Sequence, residues 1–445
     1  MMSHNGIFNA VNHLGWLLEP NVPVIGCGKA RRPCWSVRGD YWLAGAFEKR
    51  LVGMLLDKYF NVKLSFTERM LVFHRVPSPR GDYAVEVFGE AARLGLVEYQ
   101  ALRGWFIYPS GALAGILAAY TSPTTVHLGN ARGRLKGKKV AVDASACKLL
   151  HSAKAWVIVE ADGYIGVAKP VDDCWLKVKD LAPKGFRQLP PARLEEAVEA
   201  NSELIGGLAS EARRFIRSVV ERFGNSDGRV YVAFSGGVDS AAVLSLAVES
   251  LGAERVTAIY ADTGIEFRET RRYAEKLASM LGAELEIVES NRDFIEEVAR
   301  RGLMTRDRRW CTRLLKLEPL RRAYEKRRVR VVFEGARRWE SWNRARLPRL
   351  GENPAIPGVK RALPVYHWPR LAIQLYLAER NIPVNSLYNM GLTRIGCIVC
   401  PAMHLYEIHI AYKHNKTFYH KLASTISNNT LEGLARILRG EWRKA

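Results

Sequence analysis

Val230-Tyr-Val-Ala-Phe-Ser-Gly-Gly-Val-Asp-Ser240 is the stretch whose reading decides the fold. The β-branched and aromatic run at 230–234 predicts a buried strand. It enters Ser235-Gly236-Gly237, and the apolar spacing at 241–250 predicts a helix behind it. Strand, Gly-rich turn and helix together aim open backbone N–H groups at an anion, above all a phosphate. Gly236 and Gly237 let the backbone approach that anion without a Cβ in the way. Ser235 and Ser240 add hydroxyl donors. Asp239 stands where a capping carboxylate, a metal ligand or a ribose partner would stand. The Lys of a Walker loop is missing, and so is the GxGxxG turn of dinucleotide folds.

Working outward, the pattern from Arg229 on is repeated strand and helix. Strands are expected at 256–260, 285–288 and 329–333. Helices are expected at 269–281, closed by Gly282, at 291–301, capped by Asn291, and at 314–326. Alternation of this kind implies a parallel, doubly wound α/β sheet whose ligands sit beyond the carboxyl ends of the strands. Three polar clusters follow strands there: residues 235–240, Asp262-Thr-Gly264 and Glu334-Gly-Ala-Arg337. They are expected to face one crevice.

The first cluster resembles the SGGxDS loop, or PP-loop, of ATP pyrophosphatases and sulfonucleotide reductases. Tyr260-Ala-Asp-Thr-Gly-Ile-Glu-Phe-Arg-Glu-Thr270 resembles the DTGxEFPET stretch of the PAPS reductase family, with Arg268 where Pro is usual. Gly335-Ala-Arg-Arg-Trp-Glu-Ser-Trp-Asn-Arg344 resembles that family's GxRxxES…R segment. Arg309-Trp-Cys-Thr-Arg-Leu-Leu-Lys-Leu-Glu-Pro319 resembles its cysteine-bearing segment. Pro383-Val-Asn-Ser-Leu-Tyr388 and Gly391-Leu-Thr-Arg-Ile-Gly-Cys-Ile-Val-Cys-Pro401 resemble its ending. The resemblance implies a PP-loop (HUP-type) domain binding ATP or an adenylyl sulfonucleotide. Ser235, Gly236, Gly237, Asp239 and Ser240 would hold the phosphates, with Mg²⁺, and Asp262 and Thr263 the adenosine end. Arg337 and Arg344 would clamp phosphate or sulfate oxygens at two points. Asp239, Arg337, Arg344 and Cys311 are the expected catalytic residues. Glu266 stays ambiguous, and Glu269 reads as a carboxylate at a helix start.

Iron–sulfur members of the family pair two adjacent cysteines with a later CxxC. Here Trp310 takes the first place, leaving Cys311, Cys397 and Cys400. Three thiolates suit a 4Fe-4S cluster with one open iron, or a zinc completed by His404, or remain bare thiols. A helix starting after Cys311 is expected to lower its thiol pKa. The reductases end in an ECGLH-like tail whose Cys attacks the sulfonucleotide. This sequence ends Gly440-Glu-Trp-Arg-Lys-Ala445, which counts against that reaction.

The remainder is less sharply marked. Residues 1–120 read as a small α+β domain, with a helix at Ala46–Phe60 and a strand at 104–108. Cys27 and Cys34, with His4 and His13, make half a zinc site at most, and buried thiols are the plainer reading. Short strands at 138–142, 155–159, 164–168 and 175–179 suggest a β-barrel over 121–190. That stretch distantly resembles a PUA domain, an RNA-binding barrel, and such a barrel ahead of a PAPS-reductase-like domain resembles an archaeal arrangement. A helical linker at 191–224, the PP-loop domain at 225–401 and a helical extension at 402–445 complete the chain.

The 445 residues carry 67 Lys and Arg against 45 Asp and Glu, a formal net charge of +22. Such an excess favours a polyanionic partner. Seven cysteines without a secretory signal argue against a disulfide framework. No apolar run is long enough to span a bilayer, so the cytoplasm is the expected compartment. Three functions follow. One is ATP-dependent activation of RNA, tRNA in the first instance, for sulfur transfer. The second is reduction of adenylyl sulfate or its 3′-phosphate in sulfur assimilation. The third is a nucleotide- and RNA-binding adaptor without catalysis. The sulfur or electron donor is not readable from the sequence.

Overall fold

A computed structural model of the protein describes residues 7–11, 14–25, 40–78, 81–128, 135–152, 155–172 and 174–444. Cys27, Cys34, His4 and His13 lie outside the described residues. The chain divides into two compact units, Met1–Asn201 and Ser202–Ala445. No described helix is long and apolar enough to cross a membrane.

In the first unit, strands Ile7–Val11, Leu14–Leu17 and Val22–Ile25 form an antiparallel three-stranded sheet. A five-stranded antiparallel sheet follows in sequence order, from Tyr41–Leu43 to Gly104–Pro109. Helix Ala46–Phe60 has the expected bounds and buries Leu51, Val52, Leu55, Leu56 and Tyr59, the one-sided spacing that predicts it. Ser110 caps helix Gly111–Tyr120 by accepting from Leu113 N at 3.1 Å. A second five-stranded sheet runs Lys139–Ala141, Trp175–Pro183, Tyr164–Asp172, Val157–Ala161, Thr125–His127. Val126, Leu150, Val159, Leu176 and Val178 fill its core. Among the described residues the outer strands Lys139–Ala141 and Thr125–His127 do not pair with each other, so the expected closed barrel is not shown. One disulfide, Cys147–Cys174, ties helix Ala144–Ser152 to the turn before Trp175, against the expectation of free thiols.

Helix Leu194–Phe223 runs across the division between the units. In the second unit a six-stranded sheet has the order Glu284–Glu289, Val256–Asp262, Val230–Ala233, Val331–Glu334, Lys360–Ala362, Leu350–Glu352. All neighbours are parallel except the last pair, which is antiparallel. The strands Val230–Ala233 and Val331–Glu334 carry near-continuous apolar runs because both faces are covered. The antiparallel edge hairpin was invisible to pattern reading, since its three-residue strands are too short to show alternation. Gly282 ends helix Arg268–Leu281 in the left-handed conformation, as expected. Two boundaries differ. Asp293, not Asn291, caps helix Phe294–Arg301, accepting from Glu296 N at 2.9 Å. The helix after Cys311 begins as a π-helical stretch, Thr312–Leu317, before Glu318–Arg327. Helices Leu405–His414, Lys416–Ile426 and Thr430–Arg439 close the unit.

Candidate functional site

The loop at 235–240 joins the central strand to helix Val238–Leu251. Gly236 has φ +75°, and a Cβ there would stand 2.6 Å from Thr270 Cγ2, so both conformation and space require glycine. Gly237, not Asp239, takes the capping position, with extended backbone and no side chain to fill the space ahead of the helix. Ser235 and Ser240 hydroxyls face each other at 3.2 Å, and Ser240 Oγ also accepts from Ser235 N at 3.2 Å. Two residues distant in sequence brace the loop. Asn385 Nδ2 donates to Gly236 O at 3.3 Å, and Val238 N donates to Tyr388 Oη at 3.2 Å. Burial pushes the Tyr388 hydroxyl above its ordinary range, so it stays a neutral bonding partner. Both residues sit inside the stretch Pro383 to Tyr388; its likeness to the family was the available signal, but it assigned them no role.

Asp239 is in the first turn of that helix, where a carboxylate is favoured by the helix dipole. Its Oδ1 accepts from Arg337 Nε at 2.8 Å. Arg337 is only 2% exposed and also reaches Trp368 O through Nη1 at 3.3 Å. Its backbone N donates to Glu340 Oε2 at 2.8 Å, and Arg344 pairs with the same carboxylate. Both arginines expected to form a two-point clamp are paired with carboxylates here. Arg337 braces Asp239, and Arg344 braces Glu340 with its side chain 44% exposed. Burial and the Asp239 charge push the Glu340 carboxyl up, against the pull of Arg337 and Arg344. Gly335 brings the strand end against the helix start: a Cβ there would lie 2.7 Å from Ser240 N.

Beyond the neighbouring strand, Asp262 Oδ1 accepts from Gly264 N at 2.9 Å and Oδ2 from Arg271 Nη1 at 3.2 Å. Thr263 Oγ1 donates to Glu266 Oε1 at 3.0 Å. Glu269 lies in the first turn of its helix, as a helix-start carboxylate does. Burial pushes the Glu266 and Glu334 carboxyls up, and Lys316 lowers both in part. Lys316, carried on the π-helical stretch, thus sits within electrostatic reach of two of the three polar clusters. It went unnoticed because its lone charge is one of many in a basic segment. The polar groups that follow the three strands do lie at one end of one sheet.

The thiols are arranged differently from expectation. Cys397 pairs in a single antiparallel bridge with Glu266, and its Sγ donates to Glu266 Oε1 at 3.5 Å, with Thr263 Oγ1 at 3.6 Å. Cys311 lies within the helix rather than ahead of it, and burial with the nearby Cys400 pushes its thiol up, not down. Burial, Glu266 and Cys400 push the Cys397 thiol up as well. Tyr419 Oη donates to Ile398 O at 2.7 Å, and His404 starts helix Leu405–His414. Cys400 is electrostatically close to both other thiols, yet among the described residues no three His, Cys, Asp or Glu side chains gather to hold a metal ion. As arranged, the set does not fit a cluster, a zinc or a dedicated Mg²⁺ cage.

Residues 229–403 match the model of the phosphoadenosine phosphosulfate reductase domain. An uncharacterized protein of Methanocaldococcus jannaschii is 28% identical over 97% of this chain and 96% of its own. The phosphoadenosine 5′-phosphosulfate reductase of Aliivibrio salmonicida is 30% identical over 176 residues, covering 39% of this chain and 68% of that enzyme. Among solved structures, the phosphate complex of phosphoadenylyl-sulfate reductase from Candida auris aligns with 44% of this chain and 95% of its own. Its identity is 23% and its TM-score 0.34. The domain match takes in the phosphate loop, Asp262-Thr263 and the Asp239–Arg337 pair alike, and with two thirds of the Aliivibrio enzyme matched as well, the chain belongs to the phosphoadenosine phosphosulfate reductase family.

Proposed function

We propose that this chain is an enzyme that binds ATP at residues 235–240 and uses it to activate RNA, tRNA in the first instance, for sulfur transfer. The observation that carries the nucleotide part is the loop itself: a glycine held at φ +75° opens onto a helix start with no capping side chain. The net charge of +22 supports a polyanionic second substrate. In this reading a carbonyl oxygen of the RNA base attacks the α-phosphate and pyrophosphate leaves. A hydrosulfide then adds at the activated carbon, its proton is lost, and AMP departs with the oxygen, leaving the thiocarbonyl. Asp239, fixed by Arg337, orders the loop that receives the phosphates. Mg²⁺ would arrive with the ATP and neutralise its phosphates. The RNA-binding role of residues 121–190 belongs to the same proposal, as does a cytoplasmic site of action.

A second reading, reduction of an adenylyl sulfonucleotide, is favoured by the Cys397 thiol lying against Thr263 and Glu266 at the expected adenosine side. One pair of assays separates them. Purified protein is given ATP with and without tRNA, and pyrophosphate release is followed; separately it is given adenylyl sulfate or its 3′-phosphate with a dithiol, and sulfite is followed. RNA-dependent pyrophosphate release with no sulfite supports the first reading. Sulfite release without RNA replaces it by the second. Neither product, with ATP bound, leaves the adaptor.

A further inference from the structure

The amino end of the six-stranded sheet, opposite residues 235–240, carries a concentration of positive charge. Arg229, Arg255 and Arg330 each immediately precede a strand: Val230–Ala233, Val256–Asp262 and Val331–Glu334. These strands are parallel neighbours, with Val230 opposite Val256 and Tyr231 opposite Val332. The register therefore sets the three arginines side by side, their backbones about 5 Å apart from strand to strand. They open on a cavity of about 270 Å³ whose wall also holds Arg222, with Glu221 as its single carboxylate.

The guanidinium groups are partly fixed from behind. Arg255 Nε donates to Gly228 O at 3.3 Å, and Arg330 Nη1 to Gly224 O at 3.4 Å. Arg229 Nη1 donates to Thr257 Oγ1 at 3.0 Å and pairs with Glu284. Asn225 Oδ1 accepts from Arg330 N at 2.7 Å, holding the same loop to the sheet. Among the described residues no carboxylate forms an ion pair with Arg222, Arg255 or Arg330. Each guanidinium has five N–H donors, and one backbone carbonyl leaves most of them open. With Arg229 paired to Glu284, the three remaining guanidiniums share Glu221 alone, and that crowding is unfavourable until an anion joins them. Arginine forks match the oxygens of a tetrahedral oxyanion.

We infer that this amino-end cavity is a second anion site, taking a phosphate group. The group is either a free phosphate or oligophosphate, or a phosphodiester of a nucleic-acid strand. The site lies at the far end of the sheet from residues 235–240 and does not depend on the reaction proposed above. Both the loop and the cavity would bind phosphate, so the test is run on full-length Gly237→Val protein, in which the loop is blocked. Inorganic pyrophosphate is titrated calorimetrically at low salt, with Arg255→Gln/Arg330→Gln added to the same background. Both arginines are exposed, so a melting curve should show folding retained.

The glutamines should lower pyrophosphate affinity tenfold or more, and the pair Arg255→Lys/Arg330→Lys should keep an intermediate affinity. In protein with an intact loop, the glutamines should leave ATP affinity unchanged. A labelled single-stranded oligoribonucleotide forms the second arm. Loss of its binding together with pyrophosphate identifies the diester source; loss of pyrophosphate alone identifies the free anion. Equal pyrophosphate affinity with and without the two arginines overturns the site. Failure of ATP to bind the intact loop strikes only the function proposed above.

Discussion

Residues 235–240 and 396–401 are two loops at the same end of one sheet, and they are built to different ends. The first is held from outside. Thr270, Asn385, Tyr388 and Arg337 fix its shape, and Gly237 puts no side chain ahead of the helix. The second is closed on itself and its neighbours. Cys397 is taken by Glu266 and Thr263, Ile398 N by Ile265 O, and Ile398 O by Tyr419. The first loop has no capping side chain ahead of its helix; the second has its Cys397 thiol bonded and pushed up by burial. The contrast teaches that family motifs at one end of a sheet need not be braced in the same way.

The sharpest way to break this comparison is to remove Arg337. Arg337→Met leaves Asp239, whose side chain is 21% exposed, without its partner, and losing a hydrogen bond between charged groups costs about 1.5–3 kcal/mol. Urea denaturation should show a loss of that size, and ATP binding should disappear. Asp239→Asn combined with Arg337→Met should recover much of the stability but none of the affinity. Cys397→Ser, by contrast, should shift stability far less. If the two single variants cost the same, the loops are not differently braced.

Next in size is Gly236→Ala. The added methyl meets Thr270 Cγ2 and forces a left-handed alanine. ATP affinity should fall at least tenfold, about 1.4 kcal/mol, by calorimetry. Tyr388→Phe should follow with about 1 kcal/mol of stability, because Val238 N loses its acceptor. An unchanged affinity in Gly236→Ala would remove the loop as a phosphate cradle.

The chemistry of the phosphate loop was legible because its cause is local. Six consecutive residues contain the strand end, the glycines and the helix start. Gly282 and the helix Ala46–Phe60 were legible for the same reason. What brings Asn385 to Gly236, or Arg337 to Asp239, is tertiary, across separations of 149 and 98 residues. Arg337 was found through its motif, but its bond to Asp239 was not, since a motif names a residue and not the direction of its guanidinium. The Cys311 thiol was misread because burial outweighed the helix start. The Cys147–Cys174 disulfide was not read from the sequence, since a pair 27 residues apart has no local mark. The arginine row before three strands was not legible at all, because only the sheet order makes 229, 255 and 330 neighbours.

Lys316 partly lowers the carboxyls of both Glu266, beside Cys397, and Glu334, at the end of strand Val331–Glu334. Glu334 supplies the smallest and cleanest prediction. Burial pushes its carboxyl above the ordinary range, and Arg361, Lys316 and Arg344 oppose this only in part. Its folded value therefore lies above its unfolded value. The stability it contributes is fully present below the ordinary glutamate range and is lost as pH rises through the raised folded value. Glu334→Gln keeps the shape and the bond from Asn353 Nδ2, 3.4 Å from Oε1 in the parent, but cannot titrate. Melting temperatures of both proteins should be compared from pH 4 to pH 8. The difference, variant minus parent, should rise with pH and level off once Glu334 is ionised. A difference that is flat, or that falls with pH, would mean the three basic groups outweigh burial at this strand end, and Glu334 would then join the braced side of the comparison.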